Sequence, residues 1–107
     1  LRRAKMVNEQ KLQIGSITLD YNTQLVIRGE EKIELPQKEF MLLFKLLSSP
    51  NQIFTRIQLM DEIWGYDNES DTHTVDVHIG RLRERFRNNT DFKIVTMRGV
   101  GYKVVKL

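Results

Sequence analysis

Residues 71–88 read DTHTVDVHIGRLRERFRN, and the spacing of their apolar members decides the kind of domain. Stepped at 100° per residue, Ile79, Leu82 and Phe86 fall within about 40° of Val75. Such a stripe predicts a helix capped by Asp71 and running to about Asn88, with those four side chains inward. Opposite them, Val77 at about 200°, Arg81 at about 240° and Thr74 at about 260° form a row facing solvent. A valine within an exposed basic face is either a stray surface apolar residue or a contact surface. The row favours contact: a valine methyl suits the thymine methyl, and an arginine beside it reaches guanine in the major groove. Thr74, Val77 and Arg81 are therefore the candidate base-reading residues.

Around this row, Arg83, Arg85 and Arg87 spread along both sides of the helix, as phosphate contacts would, with Glu84 as partial compensation. Asp76 has two readings, as acceptor from a cytosine amino group or as the partner that orients a neighbouring arginine. His73 and His78 are five residues apart, about 140° around the helix, whereas a helical two-histidine zinc pair uses i, i+4. A metal site is not expected. His78 stands at the edge of the buried face, where it can donate to a phosphate or a backbone carbonyl.

Downstream, Phe92 to Met97 and Tyr102 to Leu107 are β-rich runs joined by Arg98-Gly99-Val100-Gly101, a hairpin with glycines where the backbone turns. Arg98 projects from the tip, as suits a narrow, electronegative minor groove. Thr96 and Lys103 lie near enough to meet a DNA backbone, and Gly99 and Gly101 read as backbone-conformation residues. Upstream, Thr55 caps a second helix with Leu59, Ile63 and Trp64 on its apolar side and Gly65 as its stop. A polar stretch from Tyr66 to Ser70 separates it from the third. The first helix opens with Pro36 at its first position, carries Phe40, Leu43, Phe44 and Leu47 inward, and ends at Ser48-Ser49-Pro50-Asn51. Ile53-Phe54 is a brief strand. From Lys11 to Leu35 the period is two, with breaks at Gly15-Ser16, Tyr21-Asn22 and Gly29-Glu30, so short antiparallel strands are expected. Residues 1–10 read as a tail or linker. Strands, three helices and a hairpin make an α+β winged helix-turn-helix.

The totals agree with this class. The chain has 107 residues, 40% hydrophobic and 29% charged, which is one ordinary globular domain. No run approaches the ~18 apolar residues of a membrane span, so a cytoplasmic protein is the default expectation. With no cysteine, thiolate catalysis and thiolate metal sites are excluded. Residues 1–70 hold nine Lys/Arg against ten Asp/Glu, whereas residues 71–107 hold eight against four. That asymmetry suits a polyanion facing the C-terminal third, although a solvated helix face would count the same. No nucleophile elbow or phosphate loop occurs, so neither an enzyme nor a cofactor is expected.

Four segments together resemble the effector domain of OmpR/PhoB-type response regulators: Leu35-Pro36-Gln37-Lys38-Glu39-Phe40; Phe54-Thr55-Arg56 leading to Ile63-Trp64-Gly65-Tyr66; Thr74 to Ile79 with Arg81-Leu82-Arg83; and Arg98 to Tyr102. Gln52 to Arg56 is similar to haem-responsive members from Gram-positive bacteria. The resemblance implies an N-terminal four-stranded antiparallel sheet, three helices and a C-terminal β-hairpin wing. It further implies that His73, His78 and Arg83 face phosphates, and that Gly65, Tyr66, Asp67, Asn68, Glu69 and Ser70 form a loop contacting RNA polymerase. Leu1-Arg2-Arg3-Ala4 resembles the last turn of a receiver domain, which would make residues 1–10 its end and linker and 11–107 the winged-helix DNA-binding domain. Partners then expected are promoter DNA, the receiver with its sensor histidine kinase, and a second copy in tandem on direct repeats. Gly80 departs from the family, which usually has a basic residue there, and His73 stands in place of a common arginine.

Overall fold

The computed structural model describes residues 11–65 and 71–107. The period-two region folds into β1 (Lys11–Ile14), β2 (Ile17–Asp20), β3 (Leu25–Arg28) and β4 (Glu31–Glu34), an antiparallel sheet in sequence order. Leu12 pairs with Leu19, Ile14 with Ile17, and Val26 with both Leu19 and Ile33. These apolar side chains therefore share one face, and Ile17, Leu19 and Val26 are fully buried on it. A slip of one residue would turn all of them to water, which pins the register.

Helix α1 spans Gln37–Ser48. Pro36 lies just outside it rather than in its first turn. Its ψ of 147° is extended, yet its carbonyl accepts the Phe40 N–H at 3.0 Å. Phe40, Leu43 and Leu47 are buried as expected, and so are Leu42 and Leu46. The apolar stripe is wide because α1 is covered by the sheet on one side and by the third helix on another. Phe44 is half-buried and packs its ring 5.1 Å from that of Tyr21.

After α1 come β5 (Phe54–Thr55) and α2 (Arg56–Leu59), which continues as a π-helical turn over Met60–Trp64. Thr55 and Gln58 form a reciprocal capping box, so two otherwise unpaired amides are satisfied. Gly65, at φ 90°, stops the helix and donates to Met60 O at 3.0 Å. Helix α3 runs from His73 to Arg85 with Thr72 as its cap residue, while Asp71 accepts the His73 N–H through Oδ1 at 3.0 Å. It stops short of Asn88 because Phe86, at φ −113°, turns to set its ring 5.6 Å from Phe92.

Strands β6 (Phe92–Met97) and β7 (Gly101–Lys106) form the hairpin, and β5 joins it to give a sheet in the order β5-β7-β6. The brief strand expected at Ile53-Phe54 thus lies at Phe54–Thr55, and its pairing with the hairpin is what the sequence pattern does not show. That pairing also corrects the reading of Gly101. A Cβ there would lie 1.9 Å from Phe54 O, so close approach of β5 excludes a side chain. Gly99, at φ 74°, is the glycine the turn itself requires. Asp91 ties this sheet to the first by accepting from Ser16 N at 2.9 Å and Ser16 Oγ at 2.8 Å.

Candidate nucleic-acid interface

On α3 the burial follows the expected periodicity. Val75, Ile79, Leu82 and Phe86 are buried, and Val77 is 38% exposed. Arg81 is exposed beside it, and Thr74 is half-buried at the end of the row. Among the described residues, ion pairs form at Arg56, His73, Arg85 and Arg87 but none at Arg81 or Arg98. Both guanidiniums are thus available to an external acceptor.

Asp76 is different. Its Oδ1 accepts from Arg56 Nε at 2.7 Å and from the Tyr102 hydroxyl at 2.5 Å, and its Oδ2 lies 3.8 Å from His73 Nδ1. Burial pushes the Asp76 carboxyl up, but the hydrogen bonds from Tyr102 and Arg56, with the charges of Arg56 and His73, outweigh it and hold the group below its ordinary value. The same contact raises Arg56, chiefly through its hydrogen bond to Asp76, while burial and then Asp76 raise Tyr102. Of the two readings of Asp76, the geometry matches the orienting one. Oδ1 is thus engaged within the domain by these two donors. Arg56 and Tyr102 enter the sequence reading only as motif members; partners 20 and 26 residues away leave no local signal.

The remaining arginines of α3 also divide by partner. Arg83 Nη2 donates to Ile94 O and Thr96 Oγ1, both at 2.8 Å. Arg85 Nε donates at 2.7 Å to Glu39 Oε1, a carboxylate 1% exposed in α1. Arg85 therefore leans its Nε back onto the core while its side chain stays 42% exposed. Arg87 pairs with Glu84 at 3.0 Å on the surface. His78 Nδ1 lies 2.8 Å from Thr74 O. A carbonyl can only accept, so that nitrogen carries the proton and Nε2 is left for another partner. The ring meets Trp64 edge-on at 4.9 Å, which orients it. His73 is 76% exposed at the start of the helix.

At the hairpin tip Arg98 is exposed, in a turn closed by the Val100 N–H on Met97 O at 2.8 Å. Thr96 is exposed on β6 and Lys103 half-buried on β7. Of the loop expected to meet RNA polymerase, Gly65 ends α2, and Tyr66, Asp67, Asn68, Glu69 and Ser70 lie outside the described residues. Among the described residues, no group of three or more His, Asp or Glu is placed to hold a metal ion, and no helix is long and apolar enough to cross a membrane.

The family model described as "Transcriptional regulatory protein, C terminal" matches residues 29–104. Heme response regulator HssR of Staphylococcus aureus is 47% identical over 105 residues, covering 97% of this chain and 47% of the relative. The chain thus spans about half the length of the curated relatives it matches. The Klebsiella pneumoniae RstA DNA-binding domain, solved in complex with the RstA box, superposes with a TM-score of 0.74 at 29% identity, covering 90% of this chain and 97% of that one. DrrB, an OmpR/PhoB homologue of Thermotoga maritima, gives 0.78 at 27% identity, over 98% of this chain and 50% of its own.

Proposed function

The chain belongs to the transcriptional regulatory protein C-terminal family, the winged-helix DNA-binding effector domains of OmpR/PhoB-type response regulators, and from that membership we propose that it reads promoter DNA with the open face of α3. Such a domain binds DNA and regulates transcription; it is not an enzyme. Thr74, Val77 and Arg81 are assigned to base edges in the major groove, and Arg98 to the adjacent minor groove. His73, His78, Arg87, Thr96 and Lys103 are assigned to phosphates, with Arg83 dividing its donors between β6 and the DNA backbone. Asp76 and Arg85 serve the scaffold instead. The observation that carries this reading is the exposure of Val77, 38%, between Thr74 and Arg81 on the side opposite the buried stripe.

Two copies bind direct-repeat half-sites about one helical turn, ~10–11 bp, apart. Phosphorylation of a receiver domain by a sensor histidine kinase drives the pairing in the cytoplasm, raising effective concentration on the promoter. The stretch from Gly65 to Ser70 is the contact offered to RNA polymerase. The test is selection of bound duplexes from a random pool, followed by gel-shift titration of selected and random DNA at two salt concentrations. Recovery of a direct repeat, bound more tightly than random DNA at both salts, is the expected result. If random and selected duplexes bind alike, sequence reading by α3 fails; if neither binds, the surface docks protein instead.

A further inference from the structure

The wing and the reading helix meet at one polar cluster centred on Tyr102. This side chain is 5% exposed, and its hydroxyl donates to Asp76 Oδ1 on α3. The guanidiniums of Arg56, from α2, and Arg83, two turns further along α3, lie 5.2 and 5.8 Å from the centre of its ring. Arg83 in turn holds Ile94 O and Thr96 Oγ1 of β6. Helices α2 and α3 and strand β6 therefore all meet this phenol or its neighbours. Its place in the hairpin matters equally. Tyr102 pairs with Thr96, and only the Met97–Gly101 rung separates that pair from the turn bearing Arg98.

Backbone pairing with β5 already holds β7 at Tyr102 and Gly101. Among the described residues, however, β6 and the turn beyond have no third strand beside them, and a two-stranded tip twists and bends readily. Anchoring the ribbon one rung below its tip removes that freedom before DNA arrives, so less ordering cost falls on the tip contact. Resting on the DNA-reading assignment above, we propose that Tyr102 and Asp76 are positioning residues that lock the wing to α3 and so aim Arg98 at the minor groove. Neither residue needs to touch DNA. Arg81, by contrast, is fixed by the buried stripe of its own helix and is independent of the lock.

The experiment measures affinity for a duplex that the parent domain selects from random DNA, at one salt concentration. Arg98→Ala and Arg81→Ala are each made in the parent and in a Tyr102→Phe background, which keeps the ring over which both guanidiniums lie. In the parent, each alanine is expected to weaken binding about tenfold. With Tyr102→Phe, the loss from Arg98→Ala should shrink to under about threefold, whereas the loss from Arg81→Ala stays about tenfold. A general loosening of the fold would lower both losses together, and that result overturns the proposal. So does an undiminished effect of Arg98→Ala. Should Arg98→Ala cost nothing in the parent, the minor-groove assignment itself fails and the positioning role goes with it, while a retained effect of Arg81→Ala would show that base reading by α3 survives. If Tyr102→Phe does not melt cooperatively, Asp76→Asn replaces it in the same comparison.

Discussion

Arg85 on α3 donates its Nε to Oε1 of Glu39 on α1, 2.7 Å away, and this contact ties the two helices together. Glu39 is the only charged side chain among the buried described residues. A buried carboxylate deprived of its partner is left in a medium that solvates it poorly. Arg85→Ala is therefore expected to destabilise the domain by about 2–3 kcal/mol, below the figure for a fully buried pair because Arg85 is 42% exposed. Replacing both together, Glu39→Leu with Arg85→Met, should recover most of the loss. Urea melts of the three variants decide it. A single variant as stable as the parent would remove this pair from the scaffold.

Asp76 makes stability depend on acid. Its carboxyl titrates below the ordinary 3.8 in the fold because two hydrogen bonds and adjacent positive charge favour the anion over the opposing effect of burial. A depressed carboxylate stabilises the fold at pH above its unfolded value, and that contribution is lost as pH falls through the folded value. Asp76→Asn should thus be less stable than the parent by about 1–2 kcal/mol near neutrality. The gap should close as pH drops below about 4. A gap that persists undiminished at about pH 2.5 would mean that the charge of Asp76 is not what stabilises the cluster.

Two glycines should respond in opposite directions. Gly80 lies within α3 with nothing within 4 Å of where a Cβ would be. Gly80→Ala is expected to add about 1 kcal/mol through helix propensity alone, raising Tm by about 4–8 °C. At Gly101 the same methyl would collide with the Phe54 carbonyl, so Gly101→Ala should cost more than about 2 kcal/mol and loosen β5 from the wing. Thermal melts separate the two, and equal effects would contradict the difference in their surroundings.

Arg81 is exposed, without an ion pair among the described residues. Arg81→Ala should therefore leave Tm unchanged while costing about 1–3 kcal/mol of specific binding and relaxing preference at one base position. Repeating the duplex selection with the variant tests this. An unchanged base preference would move Arg81 from base edge to phosphate.

Periodicity carries the elements and their faces because it is a property of neighbours in the chain. The stripe of Val75, Ile79, Leu82 and Phe86, the cap at Thr55, the stop at Gly65 and the alternation in β1 to β4 all arise within a few residues of one another. The open row of Thr74, Val77 and Arg81 is legible for the same reason, since it is the complement of the stripe on one helix. The likeness of Arg83, Arg85 and Arg87 in sequence conceals three different surroundings: a strand edge, a buried carboxylate and an exposed carboxylate one turn away.

The chain's local pattern alone determined where helices and strands form, which side of α3 is apolar and that arginines crowd its other side. Folding decided which of those charges remain free, because a hydrogen bond or ion pair needs a partner brought within about 3 Å, and topology supplies acceptors from 11 to 46 residues away. The role of Gly101 was settled in the same way: its missing side chain answers a strand that approaches from Phe54, a distance that exists only once the two sheets and three helices have packed.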